Sequence, residues 1–278
     1  MLSIRYNIYN NSNIINANNY FDAFVVGSDQ VWNPEITGFD YNYFLPFADN
    51  EKAYTYAVSF GKAKISDWNN IDIKVLLNKF KLIMVREKSS EKMLKEFNSN
   101  ILTTTVLDPV FLLSKESWIC KMHLNKNSNK QKYIFVYIVA QQTYTLEVAK
   151  KIAKKFDYNI LFIDAGRKCD SEFTKINDAG PIEFLELLLN AELVLTTSFH
   201  ALAFSLIFNI PFLYELSKEK INANSRLSDL SEALKINNYE ILNADKEYIN
   251  TYDWESINRK IENMRELSIG KLYDELDS

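Results

Sequence analysis

The chain has 278 residues, 47% of them hydrophobic, with a formal net charge of −4, six glycines, two cysteines and two histidines. That length suits two compact domains or one large one. The acidic balance argues against a general nucleic-acid binder. Cys120 and Cys169 lie far apart without CxxC spacing, which suits a reducing cytoplasm and offers no disulfide framework. The start, MLSIRYNIYNNSN, lacks the apolar centre of a secretory signal. No apolar run approaches the roughly 20 residues that span a bilayer, so any membrane association is expected to be peripheral.

Residues 1–20 are rich in Asn and weakly patterned, and read as a loop. FDAFVVGSDQVWNP (21–34) gives the first strong signal: Phe24 to Val26 as a short buried strand, then a turn at Gly27. Ser28 and Asp29 then stand at the carboxyl end of that strand, where a ligand can reach them. Asp29 as a helix cap and Trp32 as core are the competing readings. Residues 52–61 read as a strand ending at Gly61, and 66–80 as a helix capped by Ser66. LIMVRE (82–87) is a strand, and 87–98 continues as a helix. Arg86 either holds a ligand anion or pairs with Glu87 or Asp29. Residues 103–113 read as a strand closed by Asp108-Pro109, and the polar run 114–131 as a domain boundary, with His123 exposed in it.

A second strand–helix series follows. It runs as a strand over 132–140, a helix over 144–156, a strand over 159–164, a polar loop over 165–180 and a helix over 181–191 with Pro181 at its start. ELVLTTSFHALAFSLIFNIPFL (192–213) is the stretch around which the rest is arranged. Leu193 to Thr196 is a buried strand, Thr197 and Ser198 are cap types, and Phe199 to Phe208 is too apolar for a surface helix. His200 falls in the first turn, where unpaired N–H groups favour an anion. A core His paired with a carbonyl is the competing reading. NANSRLSDLSEALKI (222–236) places Arg226 in the first turn of another helix, and 253–276 makes a long final helix.

Strand–helix alternation of this kind means α/β with mainly parallel sheets. The break near 114–131 predicts two Rossmann-like domains facing each other across a cleft. The chain contains no GxGxxG, no GxxxxGK[ST] and no DxD pair, and its His and Cys are dispersed. Those absences weigh against classical dinucleotide, P-loop and structural zinc sites. What remains is a set of polar side chains and helix starts: Ser28, Asp29, Arg86, Ser198, His200, Asn224 and Arg226. Such a set is suited to an anionic small molecule.

FVVGSDQVWNP, KAYTYAVSFG, VREKSS, LDPVFLL, LTTSFHALAFSLIFNIPF and NSRLSDL occur in the order seen in the polysaccharide pyruvyl transferase family, which the chain resembles over about residues 20–236. The resemblance implies a GT-B-like pair of Rossmann-like domains, at 1–120 and 130–250. It also implies a C-terminal helix at 253–278 packing back toward the first domain. It further implies a bacterial, cytoplasmic enzyme of exopolysaccharide or cell-wall polymer biosynthesis. Such an enzyme moves the carbon skeleton of phosphoenolpyruvate onto two hydroxyls of a sugar or lipid-linked oligosaccharide as a pyruvate ketal. Phosphoenolpyruvate is then the donor substrate, with no cofactor, metal or nucleic acid required.

By resemblance and placement, His200 is the general acid or phosphate-side donor, Arg226 an anion clamp, and Asp29 a base or sugar-hydroxyl partner. Ser28, Arg86, Ser198 and Asn224 position ligands. Two departures stand out. Family members usually begin with a strand, an Asn-Tyr/Phe-Gly type loop and a helix. Residues 1–20 do not match this, so the first domain is expected to be incomplete. The Gly that usually follows the site His is Ala201 here. The competing functions are a metal-independent GT-B glycosyltransferase using a nucleotide sugar, and a non-catalytic truncated homologue acting as a sugar-binding or scaffold subunit.

Overall fold

The computed structural model describes residues 9–10, 12–61, 64–68, 72–126, 131–139, 142–163, 172–216, 225–242 and 251–277. Asn224 and Cys169 lie outside the described residues. The chain divides into two compact units. One holds the residues up to Asp108 and those from Gly270 on, and the other runs from Pro109 to Ile269.

In the first unit, β1 (Phe24–Val26) leads to a short turn of helix, α1 (Pro34–Thr37), and then to β2 (Ala53–Thr55). After α2 (Ile73–Leu77), β3 (Ile83–Val85) is followed by α3 (Lys88–Phe97) and β4 (Thr103–Thr105). β1 pairs with β2 and β3 with β4, all parallel. Val58 bridges in parallel to Asp29 on one side and Val85 on the other, which joins the strands into one row in the order β1-β2-β3-β4. Trp32 is fully buried beneath this row, stacked on Phe44 at 4.9 Å and edge-on to Phe60 at 5.2 Å. Its indole N–H donates to the Tyr43 carbonyl at 2.8 Å, so its polar tip is satisfied. Trp32 is therefore core.

The Asn-rich lead-in is ordered where it is described. A 3-10 turn spans Ile14–Asn19. Asn18 donates to the Phe47 carbonyl at 2.6 Å and accepts from the Asp49 N–H at 2.9 Å. The predicted helix over 66–80 is corrected to the five residues of α2, because Asp72, not Ser66, caps it by accepting from the Val75 N–H. Ser66 sits inside a separate 3-10 turn, Ile65–Asp67. The predicted strand over 103–113 stops at Thr105, and Pro109 opens a 3-10 turn instead. The predicted strand over 52–61 is likewise confined to the three residues of β2.

In the second unit, the elements are α4 (Lys115–Lys121), β5 (Tyr133–Tyr137), α5 (Thr145–Phe156), β6 (Asn159–Ile163), β7 (Thr174–Ile176), α6 (Pro181–Leu189), β8 (Leu193–Thr196), α7 (Phe199–Phe208), β9 (Phe212–Tyr214), α8 (Ser225–Leu234) and α9 (Trp254–Leu276). α4 falls in the run expected to be a boundary. Ser114 caps it at 3.1 Å, and Trp118 anchors it by donating to the Val110 carbonyl at 2.9 Å. His123, just beyond it, is exposed as expected. β7 falls in the stretch expected to be loop, and its Thr-Lys-Ile sequence carries no apolar run to reveal it.

The five strands form one parallel sheet in the order β7-β6-β5-β8-β9. β5, β8 and β9 are buried almost throughout, as a parallel sheet covered on both faces requires. The outer edge of β9 is closed by two contacts. The Tyr252 hydroxyl accepts from the Phe212 N–H at 2.9 Å and donates to the Phe212 carbonyl, and the Ile241 N–H donates to the Tyr214 carbonyl at 2.9 Å. α9 contributes its residues up to Ile269 to this unit and those from Gly270 on to the first.

Candidate functional site

The order β7-β6-β5-β8-β9 has a consequence for ligands. From β5 the chain builds outward through β6 and β7, then returns to place β8 on the other side of β5. The strand order therefore reverses between β5 and β8, and the crevice at their carboxyl ends is where open α/β sheets bind ligands. Tyr137, the last residue of β5, pairs in register with Thr196, the last of β8.

The residues after Thr196 are fixed by local hydrogen bonds. Thr196 Oγ1 donates to the Tyr137 carbonyl at 2.6 Å and accepts from the Ser198 N–H at 2.9 Å. Thr197 Oγ1 accepts from the Val139 N–H at 3.0 Å. Ser198 Oγ accepts from the Ala201 N–H at 3.4 Å and is buried, so the structure gives Ser198 the capping role. Of the ten residues of α7, nine are buried and His200 alone is not. Its ring stands edge-on to Phe199 at 5.4 Å. In a helix otherwise sealed in the core, His200 is thus the one residue left partly exposed, in the first turn after β8. Ala201, where the family usually has Gly, is fully buried. Arg226 is half-buried as the second residue of α8.

A separate cluster occupies the carboxyl edge of the first unit's sheet. Arg86, immediately after β3, donates from each of its three nitrogens to a different carboxylate. Nε reaches Glu87 Oε1 at 3.1 Å, Nη1 reaches Asp108 Oδ2 at 2.8 Å, and Nη2 reaches Asp29 Oδ1 at 3.1 Å. Burial alone would lower the guanidinium pKa, but the charges of Glu87, Asp108 and Asp29 together hold it above its ordinary value. Ser28 Oγ donates to Asp108 Oδ2 at 3.0 Å and accepts from the Asp29 N–H at 2.6 Å. Ser90 Oγ supports Glu87 at 3.2 Å. The side chains of Arg86, Glu87 and Asp108 are 3%, 2% and 1% exposed, whereas that of Asp29 is 58% exposed.

The structure therefore brings Ser28, Asp29 and Arg86 together. It gives Arg86 the pairing role that the sequence left open, with Asp108 as a partner the sequence did not single out. Arg86 meets three carboxylates here, and Asp29 is the most exposed of them. Among the described residues, no group of three or more His, Cys, Asp or Glu is arranged to hold a metal ion. Among them also, no helix is long and apolar enough to cross a membrane.

A two-unit α/β chain with parallel sheets and polar groups gathered at their carboxyl edges narrows the class to α/β proteins that bind ligands at strand ends. Within that class, residues 2–214 match the family Polysaccharide pyruvyl transferase, and the chain belongs to it. The match takes in Ser28, Asp29, Arg86, Ser198 and His200 and ends before Asn224 and Arg226. No curated protein matches the chain.

Solved structures similar to it include three of 2-epimerases. The UDP-GlcNAc 2-epimerase from Methanocaldococcus jannaschii is 14% identical with a TM-score of 0.48, over 87% of this chain and 68% of that one. The same archaeon's enzyme in complex with UDP-GlcNAc and UDP is 16% identical with a TM-score of 0.41, over 76% and 68%. The UDP-N-acetylglucosamine 2-epimerase from Rickettsia bellii is 12% identical with a TM-score of 0.43, over 82% and 68%.

Proposed function

We propose that the protein transfers the three-carbon skeleton of phosphoenolpyruvate onto two hydroxyls of a sugar, releasing inorganic phosphate and leaving a cyclic pyruvate ketal. The observation that carries this reading is the position of His200. It is the single side chain of α7 that is not buried, and it stands in the first turn beside the switch point.

The proton balance fits one mobile acid. Protonation of the enol CH2 gives a methyl group and an oxocarbenium-like carbon, which the first sugar hydroxyl attacks. The C–O bond to phosphate then breaks, and the second hydroxyl adds to the same carbon. The two hydroxyls lose two protons in all. One is matched by the methyl group and the other by the departing phosphate. Imidazole gives up and takes a proton near neutral pH, so His200 serves as general acid or as the phosphate-side donor. Arg226 serves as an anion clamp, aided by the start of its own helix.

Asp29, exposed and tethered to Arg86, serves as base or sugar-hydroxyl partner, with Ser28 beside it. Arg86 and Ser198 act by positioning their neighbours. Asn224 completes the ligand-positioning set. The acceptor is a sugar or lipid-linked oligosaccharide of a bacterial surface polymer, and the reaction takes place in the cytoplasm without a cofactor.

The test follows phosphoenolpyruvate and phosphate by phosphorus NMR across a panel of sugars with free pairs of hydroxyls. Acceptor-dependent phosphate release is expected, and His200→Ala is expected to lower it by about 10²–10⁴-fold, the usual contribution of a general acid. Release at the full rate by the Ala variant would remove His200 from the role. Melting temperatures raised by UDP, GDP or CMP but not by phosphoenolpyruvate would replace the donor with a nucleotide sugar.

A further inference from the structure

Two helix starts flank the switch point of the second unit. α7 follows β8, and α5 follows β5. They differ in one respect. α5 is twelve residues long, and its N-cap, Tyr144, makes no side-chain cap of its own. Its first turn is instead filled by Glu215, which comes from immediately beyond β9 and is 2% exposed. Glu215 Oε1 accepts from the N–H groups of Thr143 at 2.5 Å and Tyr144 at 3.1 Å. Oε2 accepts from the N–H groups of Tyr144 at 3.1 Å and Thr145 at 2.8 Å, and from Thr145 Oγ1 at 2.6 Å. Three successive backbone N–H groups and a hydroxyl, aimed at one anion at a helix start, are the donors that would otherwise bind a phosphate.

We propose that Glu215 is an internal anion and a specificity-determining residue. It occupies the place on α5 that a ligand phosphate would take, and so confines ligand charge at this switch point to the α7 side, where His200 stands. This rests on the reading of the carboxyl edge as the ligand-binding edge. A ligand that brings a phosphate to the start of α5 meets a carboxylate there. A ligand whose anionic groups are all held on the α7 side meets none. Glu215 also fixes residues 143–145.

The experiment uses the full chain with Glu215 replaced by Ser, which empties the site and leaves its donors, or by Gln, which keeps the shape and removes the charge. Melting temperatures are read against inorganic phosphate, with sodium chloride at matched ionic strength as reference. Both variants are expected to melt below the wild type in chloride. Phosphate is expected to restore at least half of the loss in Glu215→Ser, and to move Glu215→Gln no further than it moves the wild type. UDP is expected to raise the melting temperature of Glu215→Ser and not that of the wild type.

A phosphate shift in the Ser variant no larger than in the wild type would overturn the proposal, since a merely structural carboxylate gives destabilisation without rescue. Wild-type stabilisation by UDP equal to that of the variant would overturn it too. If Glu215→Ser is unfolded in chloride, the same comparison is made by refolding from urea. Recovery in phosphate alone supports the proposal, and recovery in neither salt overturns it. His200 is intact throughout and turnover is not read, so failure of the pyruvyl-transfer reading and failure of this one are told apart.

Discussion

Arg86 Nη1 donates to Asp108 Oδ2 at 2.8 Å across twenty-two positions of sequence, with both side chains nearly sealed from solvent. Glu87, equally buried, takes Nε of the same guanidinium. Removing the cation would take the Arg86 charge away from two buried carboxylates, a change that typically costs about 3–5 kcal/mol. Arg86→Met is therefore expected to lower the urea midpoint sharply. Arg86→Lys keeps the charge as a compact ammonium that cannot span the positions of the guanidinium's three nitrogens, and is expected to lose less. Urea titrations of the two variants check the order. A midpoint unchanged in Arg86→Met would show that the cluster does not need its cation.

Gly27 stands between β1 and the Ser28–Asp29 pair with φ of +124°, and a Cβ built on it would lie 2.0 Å from the Tyr56 carbonyl oxygen. Backbone conformation and backbone contact both demand glycine here. Gly38 offers a control, because its φ is +63° but nothing lies within 4 Å of its would-be Cβ. Gly38→Ala is expected to cost about 1 kcal/mol, the ordinary penalty of a left-handed residue. Gly27→Ala is expected to cost well over about 2 kcal/mol, because strain and a main-chain clash add. Equal melting temperatures for the two variants would show that the Tyr56 contact yields without cost.

What the sequence discloses and what it hides divide along a physical line. β8 and α7 are legible because an apolar run, a pair of cap residues and an Asn stop occupy consecutive positions, and the structure has Leu193–Thr196 and Phe199–Phe208 there. β1 is legible as a strand at Phe24–Val26 but not as the buried strand expected, because of its three residues only Val26 is buried and Val25 is 52% exposed. Asp108 reads only as half of an Asp-Pro turn, because its partners Ser28 and Arg86 lie eighty and twenty-two residues away. Glu215 is more instructive. Its partner Thr145 is seventy residues distant, and α5 shows no capping residue of its own. An acid directly after the buried Phe212–Tyr214 run was the one available signal. A charge placed there must find donors, but the strand order decides which.

Tyr133 opens β5, and its hydroxyl donates to the Leu187 carbonyl at 2.7 Å. Burial pushes the phenol up from 10.0 to about 12. An acid whose folded pKa lies above its unfolded value contributes stability in full below the unfolded pKa, and loses it as pH rises through the folded one. The window is therefore pH 10 to about 12. Tyr133→Phe is expected to cost about 1 kcal/mol at neutral pH, the net worth of one hydrogen bond. The gap between wild type and variant is expected to narrow as pH rises through that window. Unfolding midpoints measured at pH 7, 10 and 12 check this, and a gap that stays constant would show that the phenol ionises without opposing the fold.

Tyr252 closes the outer edge of the second unit's sheet. Its hydroxyl satisfies both the N–H and the carbonyl of Phe212, and its ring stacks on Tyr239 at 4.3 Å and on Trp254 at 5.0 Å. Stack and hydrogen bonds can be separated by substitution. Tyr252→Phe keeps both stacked neighbours and leaves two main-chain groups of a buried strand without the hydroxyl, an expected cost of about 1–3 kcal/mol. Tyr252→Ala loses the ring as well and is expected to cost a further ~1–3 kcal/mol, because Tyr239, Trp254 and the start of α9 lose the surface they pack on. Hydrogen exchange separates the two effects further. The Phe212 amide is expected to lose protection in Tyr252→Phe, while that of Val194, which donates to the Pro211 carbonyl on the inner side of the strand, keeps it. Equal loss at both amides would mean that the hydroxyl holds the whole strand and not its edge alone.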